Sequence, residues 1–159
     1  MDDGIRRLEH DHVPLSRLVD HLRDVLAAVA RGDTSAGDAY GTLADGVHQV
    51  HSELLDHFAR EEEGLFPFLS RELPPVAGDV ARLAAEHDTI CGGAARLAHL
   101  VGKGPESLAE QLPTLTAQFA RFDAAYVQHA REERALLRRL DTELTGAQRE
   151  AVATLLRGL

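Results

Sequence analysis

Two histidine–carboxylate pairs one helical turn apart, His57 with Glu61 and His129 with Glu133, are the residues of this 159-residue chain best placed to do chemistry. Each pair continues an apolar stripe of helical spacing. Leu43, Val47, Val50 and Leu54 run on to His57 and Glu61, and Leu115, Phe119, Phe122 and Tyr126 run on to His129 and Glu133. Two further stripes carry a histidine at a step where an apolar residue is expected: His12 among Leu8, Leu15, Val19 and Leu22, and His87 among Leu83, Ile90, Ala94 and Leu97. Spacing alone is weak, since nine His and 26 acids give about one and a half His-x-x-x-acid pairs by chance, and the chain holds two. Placement carries more weight. Six ionisable groups aimed into one core would each cost on the order of several kcal/mol unless partnered, and a dication partners all of them. Imidazole nitrogen with carboxylate oxygen and no thiolate cluster suits iron, manganese or zinc. Four His and two Glu exceed one tetrahedral zinc and suit two metals, each with two His, bridged by both carboxylates.

The elements that must present these residues follow from the punctuation of the chain. Gly32-Asp33-Thr34-Ser35, Leu73-Pro74-Pro75, Gly102-Lys103-Gly104-Pro105 and Asp141-Thr142-Glu143 close four segments, all with helical periodicity and none with strand alternation. Four helices of about 25 to 30 residues joined by short loops predict an all-α, up-down-up-down four-helix bundle. Pro113 is expected to mark a first turn or a kink. Thr145 and Gln148 read as a capping box opening a short C-terminal helix over about 146–157, with Val152, Leu155, Leu156 and Leu159 along one side. Residues 1–159 make one domain, with the bundle over about 5–140. Its halves repeat: a shift of 75 maps Leu8, His12, Leu15, Val19 and Leu22 onto Leu83, His87, Ile90, Ala94 and Leu97. A shift of 72 maps Leu43 through His57 and Glu61 onto Leu115 through His129 and Glu133. Two copies of one helical hairpin, related by a pseudo-twofold, set two half-sites face to face.

Composition narrows the partners. A net charge of −9 argues against nucleic acid and against anionic membrane surfaces, both of which need a basic face. One Cys makes no internal disulfide, no apolar run approaches the roughly 20 residues of a membrane span, and Met1-Asp2-Asp3-Gly4 does not begin a signal peptide. The expectation is a soluble, cytoplasmic protein.

His12, the run His57-Phe58-Ala59-Arg60-Glu61-Glu62-Glu63-Gly64-Leu65-Phe66-Pro67, Glu86-His87 and His129-Ala130-Arg131-Glu132-Glu133 resemble the hemerythrin-like HHE cation-binding domains over roughly residues 5–140. The resemblance implies two non-heme iron ions, oxo- or hydroxo-bridged when oxidised. Carried over by position, His12 and His57 would hold one iron, His87 and His129 the other, and Glu61 and Glu133 would bridge. One departure matters. The oxygen carriers of that family have a second His one turn from the third-helix His and end on an Asp; here the neighbouring positions are Leu83 and Cys91, and the last carboxylate is Glu133. A position is thereby left open on each iron, which favours reaction with dioxygen, peroxide or nitric oxide over simple carriage. The competing readings are a module that binds or senses iron or oxygen without turnover, and a metal-free structural bundle.

Other residues carry plainer expectations. Cys91 is a further ligand, a redox-active thiol near the site or, more simply, a small apolar filler. His10 and His51 are the candidates for a missing fifth His, while His21, His48 and His99 belong to solvent. Tyr126 lends a hydroxyl near the site or fills the core. Gly92-Gly93 thin the wall or permit close packing. Asp11 and Glu86, each preceding an inward His, could accept an imidazole N–H, though successive residues point about 100° apart. Glu62, Glu63 and Glu132 read as a solvated acidic face.

Overall fold

The computed structural model describes the backbone of residues 3–157 and the side chains of residues 12–155. The helices are α1 (Asp3–Arg31), α2 (Ala36–Arg60), α3 (Phe66–Glu72), α4 (Ala77–Val101), α5 (Pro105–Glu143) and α6 (Gly146–Arg157), with no strand among the described residues. The turns between them use the residues that punctuate the sequence. Gly32 ends α1 with φ +78°, and Ser35 caps α2 by accepting from the Asp38 amide at 3.1 Å. Gly104, at φ +94°, turns the chain into Pro105 at the start of α5. The Thr145 hydroxyl accepts from the Gln148 amide while the Gln148 side chain accepts from the Thr145 amide, the reciprocal box expected at the start of α6.

Short connections and direct packing of successive helices make α1, α2, α4 and α5 an up-down-up-down bundle. Helix α1 packs on α2 and α5, α4 packs on the same two, and α2 also meets α5 across the bundle. Helix α6 folds back onto α1 and onto the turn that joins α2 to α3. No described helix is long and apolar enough to cross a membrane.

Two features depart from the simple pattern. The second segment is not one uniform helix: Glu61–Leu65 widens into a π turn, closed by the Phe66 amide donating to the Glu61 carbonyl. Pro67 supplies the reason, because it has no N–H for the Glu63 carbonyl and its ring needs room beside that group. Pro113 marks neither a first turn nor an end; α5 begins eight residues earlier and runs through it, with the ring on the exposed face. The expectations for Ile5, Leu8, His10, Asp11, Leu156 and Leu159 concern side chains outside the described residues.

The core is in two parts. Leu15, Val19, Leu22, Leu43, Val47, Leu54, Ile90, Leu97, Phe119 and Phe122 belong to the larger one, and Leu65, Phe66, Leu69, Leu83, Leu136, Leu140 and Val152 to the smaller. Between them, on all four bundle helices, lie the only buried polar side chains among the described residues: His12, His57, Glu61, His87, His129 and Glu133.

Close approach of α1 and α2 depends on Gly46, where an added Cβ would lie 2.7 Å from Leu22 Cδ2. Gly93, by contrast, would meet Phe122 at an ordinary 3.5 Å, and Gly92 meets open space. Gly46→Val is expected to destabilise the protein by about 1–3 kcal/mol in denaturant unfolding, through overpacking against buried Leu22. Gly41→Ala, on an open face of α2, should stabilise by about 0.5–1 kcal/mol.

Candidate metal centre

Each inward residue is delivered by the register of its helix. On α4, Val80 and Leu83 belong to the smaller core, Ile90 and Ala94 to the larger, and His87 falls between. On α5 the same step from Tyr126 to Leu136 places His129 and Glu133 in the gap. His57 lies in the last turn of α2 and Glu61 opens the π turn, so the widened backbone begins at the second residue of the pair.

The structure brings all six predicted residues together. His12, His57, Glu61 and Glu133 each offer a ligand atom within 4.8 Å of the others, and so do Glu61, His87 and His129. The carboxylates span the two sets. Glu61 turns Oε1 to His57 Nε2 at 3.0 Å and Oε2 to His87 Nε2 at 3.1 Å. Glu133 turns Oε1 to His12 Nε2 at 3.2 Å and Oε2 toward His129 Nε2 at 3.7 Å. The imidazoles are paired alike: His12 and His57 meet edge to face at 4.7 Å, His87 and His129 at 4.8 Å. Both glutamates are 1% exposed.

Proximity here is not hydrogen bonding. His12 Nε2, His87 Nε2, His129 Nε2, both oxygens of Glu61 and Glu133 Oε1 are buried without a hydrogen-bond partner. Each unsatisfied buried group costs about 1–3 kcal/mol, more when charged. Six such atoms converging from α1, α4, α5 and the π turn are a donor set that bound cations would satisfy, so the residues fit a metal site with nitrogen and oxygen ligands.

Groups behind the cluster fix the imidazoles. Glu62 accepts from His87 Nδ1 at 2.7 Å, and Glu86 accepts from His129 Nδ1 at 2.9 Å. An ionised carboxylate can only accept, so Nδ1 carries the proton in both rings and the Nε2 lone pair faces the cluster, ready to bind a cation. Phe58 stacks on His87 at 3.7 Å and Phe66 lies on the same ring at 5.4 Å, which further restricts its rotation.

Two sequence readings are corrected at this point. Glu62 is not merely part of a solvated acidic face: half exposed, it still holds His87. Glu86 does accept an imidazole N–H, but from His129 on the neighbouring helix and not from the adjacent His87. Glu132 pairs with Arg82 near the surface, and Glu63 is exposed. Cys91 is half-buried against the apolar core, and neither it nor His51 is among the converging groups. His21, His48 and His99 are exposed as expected. The Tyr126 hydroxyl meets Ser16 Oγ at 3.0 Å, and its ring helps enclose the cluster.

The two carboxylates differ electrostatically. Burial opposes charge on Glu61, but His57 and His87 outweigh it and hold this carboxyl well below the usual range. Glu133 is pushed up to about 7, first by burial and then by repulsion from Glu61. Burial also opposes protonation of His12 and His87, yet Glu133 and Glu61 raise the first and Glu61 and Glu62 the second. His129 is lowered, burial outweighing its hydrogen bond to Glu86 and His87 adding to the effect.

The hemerythrin HHE cation binding domain family matches residues 3–140. No curated protein and no solved structure matches the chain.

Glu62→Ala and Glu86→Ala should each weaken metal affinity about 10–100-fold in chelator competition while leaving the metal count unchanged at saturation. The metal-free protein should behave differently at Glu133. A carboxyl raised from 4.5 to about 7 binds a proton on folding, so its contribution to stability falls as pH rises through that window and stays lost above it. Glu133→Gln should therefore raise the Tm of the metal-free protein by several degrees at pH 8, with the difference closing toward pH 4.5. An unchanged or lower Tm at pH 8 would show that Glu133 is not penalised by its burial.

Proposed function

Since the chain belongs to the hemerythrin HHE cation-binding family, we propose that it holds two non-heme irons in the polar layer of its bundle and binds or reacts with dioxygen, peroxide or nitric oxide there. The observation that carries this reading is the set of six buried, partnerless donor atoms with two carboxylates each spanning two histidine pairs. His12 and His57 would hold one ion, His87 and His129 the other, with Glu61 and Glu133 shared between them. Bound iron would supply the redox electrons and the open coordination positions that small oxidants need.

The protein residues have definable tasks in that chemistry. Glu62 and Glu86 keep His87 and His129 in the tautomer that presents Nε2 inward. Glu61 and Glu133 neutralise half of the charge of two dications, leaving a centre of about +2 that attracts anions. Apolar cores on both sides exclude bulk water and keep the local dielectric low. With His87 flanked by Leu83 and Cys91 and no fifth imidazole among the described converging groups, both ions would retain room for an exogenous ligand.

Protein purified after iron loading should contain two irons per chain and absorb in the near ultraviolet. Glu61→Ala and Glu133→Ala should each lose iron, whereas His21→Ala and Cys91→Ser should retain both. Wild-type iron content in either Glu variant would sink the bridging assignment, and an iron-free wild type the proposal itself. Consumption of peroxide or nitric oxide by the loaded protein separates an enzyme from a sensing module.

A further inference from the structure

A cleft of about 220 Å³ opens on the surface between α1 and α5, lined by Ser16, Asp20, Arg23, Tyr126, Val127, Ala130, Arg131 and Arg134. Its inner wall is thin. Tyr126 and Ala130 line both this cleft and the closed gap bounded by His12, His57, His129 and Glu133, while Leu15 lines the gap and its neighbour Ser16 the cleft. The Ser16–Tyr126 hydrogen bond, 3.0 Å long, joins the two helices across that wall.

The internal repeat shows that this side differs from its counterpart. Under the shifts of 72 and 75, Ala130 corresponds to Phe58, Tyr126 to Leu54, Ser16 to Cys91, Arg131 to Ala59 and Arg134 to Glu62. In the other half, Phe58 is buried and stacked on His87 at 3.7 Å, and Glu62 is turned onto the same ring. That side is plugged by an aromatic ring and acidic. The α1–α5 side has a methyl group where the ring would be, and arginines where the other half has Ala59 and Glu62. Arg23 is engaged by Asp20 and Asp123, but no described side chain pairs with Arg131 or Arg134. Arg134 is nonetheless close enough for its charge to act on both His12 and the Tyr126 phenol. A chain of net charge −9 thus carries, at this thin wall of its polar layer, two arginines that no described side chain pairs.

We infer that the α1–α5 cleft is the route by which small inorganic anions, such as nitrite, reach the centre. Arg131 and Arg134 draw them in, and the Ser16–Tyr126 hydrogen bond closes the inner wall. The inference rests on the two-metal reading and adds the charge class of the ligand and its path. Electrostatic focusing in such a cleft raises association rates by about 10–1,000-fold and is lost as salt screens it.

Azide, a small linear anion, and nitric oxide, which is uncharged, distinguish charge from space. Stopped-flow absorbance on iron-loaded protein gives the association rate of each. In Arg131→Glu/Arg134→Glu the ratio of azide to nitric oxide rates should fall about tenfold or more at low ionic strength, and should approach the wild-type ratio at high salt. Arg131→Gln/Arg134→Gln should fall between. Tyr126→Phe and Ser16→Ala, which break the same hydrogen bond from opposite helices, should speed both ligands. An unchanged ratio in the charge-reversed protein at wild-type iron content would overturn the route alone. Unaltered rates in both wall variants would overturn the closure. An iron-free wild type would overturn the two-metal reading and the route with it.

Discussion

The desolvation of two carboxylates and four imidazoles in one plane of a helical bundle is the constraint on which the rest of the structure depends. Glu61 and Glu133 are held out of water, with both oxygens of Glu61 and Oε1 of Glu133 lacking a hydrogen-bond partner. A metal-free chain can lessen that penalty only by protonation, and the divergent carboxyl pKa values, one depressed and one raised to about 7, are the signature of two like charges forced together. Bound cations would remove the repulsion and satisfy the orphaned atoms of the cluster. The apolar cores above and below then serve the site twice: they fix the helix register that aims the six side chains, and they exclude the water that would compete for their lone pairs.

Precision beyond register comes from groups that touch no inward atom of the cluster. Glu62 and Glu86 reach across helix boundaries to the Nδ1 atoms of His87 and His129, and Phe58 and Phe66 restrict the His87 ring from its faces. Such contacts convert His87 and His129 into directed donors, and the tautomer they impose leaves Nε2 free to bind a metal. The π turn belongs to the same device. It begins at Glu61 and accommodates Pro67 without ending the helical path, so that a residue facing the centre and a residue supporting it, Glu62, follow each other directly.

The bundle, its loops, the capping box of α6 and all six inward residues were legible in the sequence because each depends on a local period or a local cap. Positions 57 and 61 continue a stripe whose earlier members are apolar, and no tertiary knowledge is needed to see where the stripe leads. The supporting carboxylates were not legible in the same way. Glu86 stands next to His87 in the chain and points about 100° away from it, whereas its partner His129 lies on another helix and no period relates the two. Glu62 stood in a run of three acids that reads as solvent-facing, and its half exposure makes that reading half right. The π turn was hidden for a different reason: the helical period survives it, and only the missing N–H of Pro67 signals that the backbone must widen. Pro113 carries the same chemical signal and yet α5 simply continues, so a proline alone does not distinguish the two outcomes.

The internal repeat explains why the centre can be symmetric in its ligands and asymmetric in its surroundings. Residues whose positions are set by the pseudo-twofold, His12 with His87 and Glu61 with Glu133, must match, because each carboxylate has to span both histidine pairs. Residues one position further out are free of that demand. Phe58 and Ala130 occupy equivalent places, as do Glu62 and Arg134, and in each case one half uses the position to brace an imidazole while the other leaves a thin or positively charged wall. A centre braced equally on both sides would be rigid but closed; one thinned on both sides would lose the contacts that fix its donors. Dividing the two tasks between the halves meets both requirements within a single hairpin fold.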